Sequence, residues 1–395
     1  MPLVAGQWTG CTPDNVAGQF PNAIIDTPDN VAGQFPNAII DLDDGDTIAQ
    51  GTARVFTADG SPGATCDFKL PREFTEHQLQ GVELYWMPSG QATMLNTNQI
   101  KAAYPDFQFP EIINLKFVLD GNELSVSWQT GPENSGQVIF QRSPTGADSS
   151  LEAKDMTWAQ FKDFALKQAP QAFVYRGQPE PYRLRTAFHR TYRKDLIRYV
   201  MEDIPTAHRQ LSARTSHFFD ASNPQQMGAF WNLLQHHGYP TPLLDWTYSP
   251  FVAAFFAFRR RKASDSKSNK VRIFAFDRDG WSKQFPQRDT VNFAPLHFSL
   301  FEAISLENAR AIPQQAISTL TNVDDIETLI SKIEKTSGKT FLQAIDLPAE
   351  NRPEIMVELS LMGITAGSLF PGLDGACEEL MGRFFHHQLP PLKAD

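Results

Sequence analysis

Residues 230–258, FWNLLQHHGYPTPLLDWTYSPFVAAFFAF, gather the side chains best suited to chemistry. His236-His237-Gly238 closes an apolar run. Thr241 lies inside Pro240-Thr241-Pro242, Asp245-Trp246-Thr247 follows Leu243-Leu244, and Ser249-Pro250 opens an Ala/Phe-rich run. A histidine titrates near neutrality and can take a proton as a general base. A carboxylate can orient it through a charge-assisted hydrogen bond. His236 and His237 are the candidate bases, although a histidine beside glycine at a helix end can equally cap carbonyls. Ser249 followed by proline reads either as a ligand hydroxyl or as a helix N-cap with proline at the first helical position. Capping explains Asp245 and Thr247 less well.

Upstream, Phe173-Val174-Tyr175-Arg176-Gly177-Gln178 puts an arginine where an apolar run gives way to glycine. A guanidinium there can offer a fixed fork to phosphate or carboxylate, and Gly177 lets a ligand approach the backbone. The competing reading is an internal salt bridge, for example to Asp245. Downstream, Leu361-Met362-Gly363-Ile364-Thr365 leads into Ser368-Leu369-Phe370-Pro371-Gly372-Leu373-Asp374-Gly375.

These three motifs, in this order, resemble the FRG domain family over about residues 155–390; the first 150 residues lie outside the resemblance. The arginine at a strand end also resembles that of ADP-ribosyltransferases with an Arg–Ser–Glu set, in which the arginine holds the diphosphate or ribose of NAD. The resemblance implies NAD as substrate, held by Arg176, Gly177, Gln178, Thr241, Asp245, Thr247 and Ser249. Asp245 to Pro250, running into a helix, has the outline of the Ser/Thr element. The third element should be a glutamate, yet no Glu-x-Glu occurs there. Glu302, Glu307, Asn308-Ala309-Arg310 and Gln314-Gln315 stand in that region. Gln314 in the glutamate's place would set a neutral amide where a charge stabilises a cationic transition state. The catalytic candidates are therefore His237, Gln314 and Glu307.

Arg176, His237, Asp245 and Thr247 each end an apolar segment, and the ends of neighbouring buried elements form the rim of a shared crevice. We expect the four to converge on one pocket. Arg176 would hold an anionic group, Thr247 a ribose hydroxyl, and Asp245 would orient His237 or Arg176. The implied function is an NAD-dependent ADP-ribosyl transferase or NAD glycohydrolase, acting as a bacterial defence or toxin-type effector. The alternative is a non-catalytic sensor that holds a nucleotide or peptide.

Other chemistries find no motif: the chain has no P-loop, no Gly-x-Gly-x-x-Gly after a strand, no Gly-x-Ser-x-Gly and no HExxH. Vicinal histidines at 236–237 and 386–387 point apart and have no Cys or carboxylate at ligand spacing, so no metal site is expected. Three widely spaced cysteines suit a reducing cytoplasm. No run of about eighteen apolar residues suggests a membrane span, and the N-terminus lacks the pattern of a signal peptide.

The elements that must position these residues read as two units in an α+β chain. Residues 1–142 form an acidic, all-β sandwich or barrel, 143–155 a polar linker, and 156–395 a mixed α/β, ADP-ribosyltransferase-like domain. Residues 52–56, 81–86, 114–119, 123–128 and 136–141 are rich in β-branched and aromatic residues, and Asp120-Gly121 signals a type I′ hairpin turn. Helical spacing marks 156–169, 186–219 with a break near Pro205, 226–237 and 355–362. Short apolar runs mark strands at 171–175 and 269–276. Residues 12–26 recur identically as 27–41; only one copy can occupy the native position before Leu42, and the other is expected to be looped out.

Charge divides along the same line. Residues 1–150 hold six Lys/Arg against eighteen Asp/Glu, and the remainder 29 against 27. The acidic unit disfavours nucleic acid and anionic membrane as partners. A nucleotide ligand is expected for the second unit, with a protein target or trigger bound by the β unit. Residues 176–214 concentrate eight arginines and a lysine against four acids. With Tyr182, Phe188, Tyr192 and Tyr199, the basic segment 183–198 reads either as a nucleic-acid grip or as a solvated helix face.

Overall fold

Alternation builds the first unit. Along Ile112–Asp120, Ile113, Leu115, Phe117 and Leu119 are buried, while Lys116 and Val118 face outward. The computed structural model describes residues 3–12, 37–56, 62–88, 93–105, 108–132, 134–259 and 268–385. Its first nine strands are β1 (Gly6–Gly10), β2 (Ala38–Asp43), β3 (Ile48–Val55), β4 (Gly63–Pro71), β5 (Glu76–Glu83), β6 (Tyr85–Met87), β7 (Ile112–Asp120), β8 (Glu123–Gly131) and β9 (Asn134–Arg142). They form one antiparallel sheet in the order β5-β7-β8-β9-β1-β2-β3-β4-β6, which curls into a nearly closed barrel. Of the two architectures expected, barrel and sandwich, the sheet takes the barrel.

Ile40, Phe68, Phe117 and Trp128 help fill the interior and leave an apolar cavity of about 70 Å³. Small-molecule pockets run from about 300 Å³ upward, so this interior is a core and not a nucleotide site. The β7–β8 hairpin pairs Asp120 with Glu123. Gly121 has φ +58° and Asn122 is not in the left-handed region. That fits glycine at the first central position of a II′ turn in place of the expected I′. Of the duplicated segment, Thr12 and residues 37–41 are described; the looped-out copy lies outside the described residues. The end of the second copy, Ala38 to Asp41, supplies buried residues of β2.

The second unit is a seven-stranded sheet. Its strands are β10 (Ala153–Asp155), β11 (Phe173–Gln178), β12 (Leu243–Thr247), β13 (Lys270–Asp277), β14 (Phe298–Phe301), β15 (Ala316–Thr321) and β16 (Leu342–Pro348), in the order β10-β16-β13-β11-β12-β15-β14. All neighbours are antiparallel except β10 with β16. Residues 271–276 of β13 are buried without interruption, as a strand covered on both faces must be. Val271, Ile273 and Ala275 pack with the helices Trp158–Leu166, Pro250–Phe258 and Arg352–Leu361. Phe274 and Phe276 pack with Trp281 and the helix Ile326–Ser337.

Within the polar segment 143–155, β10 belongs to the sheet. Ser149 Oγ and Ser150 N donate to the buried Glu327 carboxylate at 3.0 and 2.9 Å. The segment 186–219 is less helical than its spacing suggests: its long helix runs from Leu196 to Leu211, with a π-helical turn, Tyr199–Asp203, just before Pro205. The missing proline N–H accounts for the local change of hydrogen-bond register.

The charge asymmetry has a structural use. The buried Asp43 of β2 accepts from Arg193 Nε at 2.7 Å, Arg198 Nη1 at 2.8 Å and Asp195 N at 2.9 Å, and also from Lys194 N. Arg54 of β3 donates to the Asn292 carbonyl at 2.8 Å and pairs with Asp41. Part of the basic segment thus clamps the acidic barrel, a third outcome beside the two read from sequence. Among the described residues no helix is long and apolar enough to cross a membrane.

Candidate functional site

Strands β11 and β12 pair at one position, Tyr175 with Thr247, and then separate. A crevice of about 360 Å³ opens at this split, walled by the ends of both strands, the helix Pro224–His236 and the loop 308–316. A Cβ on Gly177 would stand 1.8 Å from the Ala253 carbonyl oxygen, so the helix Pro250–Phe258 crosses β11 as closely as only glycine allows. Gly177 lines the crevice, but this helix contact is what demands the glycine.

Arg176 reaches into the crevice half-buried. Its Nη1 donates to the main-chain oxygen of Asp245 at 2.6 Å, and its Nε has no partner. Desolvation lowers its pKa to about 10; the Asp245 charge opposes that fall and Arg190 adds to it. The group is still a cation at neutral pH. The Asp245 carboxylate is exposed to the crevice and accepts from Gln235 Nε2, while Gln235 Oε1 accepts from the buried Thr241 hydroxyl. Thr241 therefore positions Gln235 from outside the crevice wall.

Thr247 lies on the wall with its hydroxyl engaged: Oγ1 donates to the Gln314 carbonyl at 2.7 Å and accepts from Ser249 N at 3.0 Å. Ser249 is the N-cap of the helix Pro250–Phe258, its Oγ accepting from Val252 N at 3.2 Å. Gln178 is buried in β11 and is not on the crevice wall. Gln314 is on the wall, its Nε2 donating to the Leu369 carbonyl at 2.9 Å. Glu307, with φ +55°, turns away and accepts from His217 N at 2.7 Å.

Of the histidine pair, His236 faces the crevice, whereas His237 is the exposed C-cap whose N–H bonds the Leu233 and Leu234 carbonyls. The rings meet edge to face with centroids 4.9 Å apart. Burial pulls the His236 pKa below the usual imidazole value; Arg310 and His237 push the same way and Asp245 opposes them. His236 is thus neutral at pH 7, free to accept a proton.

The structure adds wall residues to the candidates, among them Asn308 and Arg310 of the third polar stretch and Phe370 of the downstream motif. Asn232 and Asn308 hydrogen-bond each other through their side chains, and Phe256 and Phe370 offer apolar rings. Arg310 lies over the Phe370 ring, 5.2 Å from its centroid, with no ion-pair partner among the described residues. Neutral amides, two aromatic rings, two arginines and one carboxylate make a crevice suited to an anionic ligand with a flat apolar part. No cluster of three or more potential metal ligands occurs among the described residues.

Residues 171–266 match the model of a family described simply as the FRG domain. The match includes the first two motifs and stops before the third, which the fold nonetheless brings to the crevice through Leu369 and Phe370. No curated protein and no solved structure matches the chain.

Proposed function

We propose that this chain binds NAD in the β11–β12 crevice and breaks its nicotinamide–ribose bond, either by ADP-ribosyl transfer or by hydrolysis. The observation that carries the reading is the juxtaposition of Arg176, whose charge meets no carboxylate contact, with the exposed Asp245 carboxylate on one wall. Arg176 and Arg310 would hold the diphosphate. Phe256 and Phe370 would receive a flat ring. As the C1′–N bond breaks, its electron pair leaves with neutral nicotinamide and positive charge grows on the ribose. Asp245 is the anion placed to stabilise it, in place of the missing glutamate. Water or a target nucleophile then adds to C1′, and neutral His236 takes its proton. The barrel would bind the protein target or trigger of a bacterial defence or toxin-type effector.

The second reading is a nucleotide sensor without chemistry. What favours it is Gln314, a neutral amide tied to the Leu369 carbonyl, with Glu307 turned away. Incubating the pure protein with NAD and measuring free nicotinamide, alongside calorimetric NAD binding, separates the two. Release that is lost in Asp245→Asn supports the enzyme. Binding without release supports the sensor. Neither binding nor release removes NAD as the ligand.

A further inference from the structure

A second, larger cavity of about 540 Å³ lies where the barrel, the segment 143–147 and the basic segment meet. Its volume falls within the range of small-ligand sites, about 300–1,000 Å³. Five cationic side chains line it, Arg142, Arg183, Arg185, Arg190 and Lys194, against the two carboxylates Asp44 and Asp324. Several of these cations have fixed protein partners. Arg183 pairs with Asp325 at 2.8 Å, Arg185 with Asp324 at 3.1 Å, Lys194 with Asp324 at 3.6 Å and with the His189 carbonyl, and Arg142 donates to the Leu3 carbonyl at 2.9 Å. They supply a standing positive field and are not free to move to a ligand. Arg190 differs: its guanidinium has no hydrogen bond or ion pair among the described residues.

A second observation is independent of charge. His189 lines the cavity and is 1 % exposed, and its Nε2 has no hydrogen-bond partner. Its Nδ1 lies 2.7 Å from Thr186 Oγ1, and that oxygen already accepts the His189 backbone N–H at 3.2 Å. That hydroxyl has two lone pairs, so either ring tautomer fits the Nδ1 contact, and Nε2 is left without a partner in both. Burial, Lys194 and Arg185 all hold the ring neutral. The result is a buried ring nitrogen with no partner, in a cavity lined by more cations than carboxylates; in its Nε2–H tautomer it is a donor without an acceptor. Such donors are normally satisfied. At the rim stand two substantially exposed tyrosines, Tyr182 and Tyr192. Aromatic faces beside cations are the usual platform for a base attached to phosphate.

We propose that this junction cavity is a second ligand site, for a nucleotide bearing a phosphate or diphosphate. Arg190 and His189, in its Nε2–H tautomer, meet the phosphate, and Tyr182 and Tyr192 take the base. The proposal stands whether or not the first crevice cleaves NAD. Arg190 also acts electrostatically on Arg176, and Asp245 acts on Arg190. An anion bound beside Arg190 therefore changes the field at the crevice, which gives the two sites a physical route of communication.

The test uses the full chain carrying Arg176→Ala, which weakens nucleotide binding in the first crevice. Calorimetry with ADP, inorganic phosphate and adenosine should show ADP binding to this protein, phosphate at least tenfold weaker, and adenosine not at all. Adding Arg190→Gln and Tyr192→Ala, both at exposed positions, should weaken ADP at least tenfold while leaving circular dichroism unchanged. The proposal is overturned by absence of ADP binding in the Arg176→Ala protein, by phosphate binding as tightly as ADP, or by indifference of ADP affinity to the two added substitutions. Failure of NAD cleavage alone would leave the ADP result intact, so the two readings fail separately.

Discussion

Arg176 donates through Nη1 to the main-chain oxygen of Asp245, 2.6 Å away, and its pairing with Asp245 stops at the backbone. The Asp245 carboxylate is engaged by Gln235 instead. The arginine charge is thus oriented by a carbonyl without being neutralised by direct contact. Arg176→Ala should weaken NAD binding at least tenfold, because a charge-assisted contact to a diphosphate is worth roughly 2 kcal/mol. It should lower the melting temperature by only a few degrees. Arg176→Lys keeps the charge and loses the fork, so it should recover little of the affinity. Calorimetry and thermal melts decide; undiminished affinity in the alanine variant would remove Arg176 from the site.

Asp245 and His236 are assigned different tasks, so their variants should differ in kind. Asp245→Asn keeps the shape and removes the anion. Nicotinamide release should fall at least a hundredfold while NAD affinity changes little. His236 acts only when neutral, and its pKa lies below the ordinary imidazole value. Turnover should hold level at and above neutral pH and fall on the acid side, below the range in which a free histidine titrates. In His236→Asn that acid limb should disappear. A wild-type profile that fell on raising pH from 7 to 8 would contradict a neutral base.

The strand-end arginine was legible because a local pattern, an apolar run broken by Arg-Gly, carries it. Of the barrel strands, β3, β7, β8 and β9 were legible as β-branched and aromatic runs; 81–86 read as one strand where the fold ends β5 at Glu83 and starts β6 at Tyr85, and β1, β2 and β4 were not read as strands. Asp245, Thr247 and Gln314 of the crevice wall were also singled out, but how the helix side of the crevice joins them was not legible. Asn232, Gln235 and His236 share one helix face, and only the helix's placement against the split sheet brings them to Arg176. Sequence offered both histidines and the choice fell on His237, although its glycine neighbour pointed to a cap; that glycine, with φ +83°, ends the helix and turns His237 outward. Glu307 and Asn308 are adjacent, but the left-handed backbone at Glu307 sends one to the loop at His217 and the other to the crevice. The basic segment could be read as a run of charge; its partner, Asp43, lies 150 positions or more away and is found only in the fold.

Asp195 makes stability depend on pH. It caps the helix that starts at Leu196, its Oδ1 accepting from Ile197 N at 2.9 Å and Arg198 N at 3.1 Å, while its Oδ2 is buried without a partner. Burial, with Asp41 adding to it, pushes its pKa up to about 7. Asp41, itself pushed up to about 6, titrates beside it, so the two share the transition. The unfolded value is roughly 4. Between these limits the folded state binds more protons than the unfolded one, so stability falls as pH rises from about 4 to 7 and the loss is complete above that. Asp195→Asn keeps the capping oxygen and removes the charge. Its melting temperature should exceed that of the wild type at pH 8 by several degrees and match it near pH 4. Equal shifts at both values would mean the carboxyl does not titrate in this range.

Deleting residues 27–41 restores a single copy of the repeated sequence and leaves TPDNVAGQFPNAIID directly before Leu42. The residues of β2 are therefore still encoded in place. Loop-closure entropy changes slowly with length, so fifteen residues fewer should alter stability by less than about 1 kcal/mol. The melting temperature should move by no more than a few degrees. Loss of the cooperative transition would show that both copies are structural.

Asp43 is the point at which the acidic barrel is held by the basic segment. Its carboxylate takes Arg193 and Arg198 together with two backbone N–H groups, those of Lys194 and Asp195. Asp43→Ala leaves both guanidinium groups and both N–H groups short of an acceptor. Removing one member of a buried charged network costs about 3 kcal/mol or more, and here the partly exposed arginines can recover some hydration. A net loss of roughly 2 kcal/mol is expected. Because the clamp joins the two units, the loss should appear as a low-temperature shoulder or a separate barrel transition in calorimetry, not only as a lower midpoint. Asp43→Asn keeps acceptors for the N–H groups and should fall between the two. If the alanine variant melts in one transition at the wild-type temperature, the charge asymmetry between the units does not hold them together.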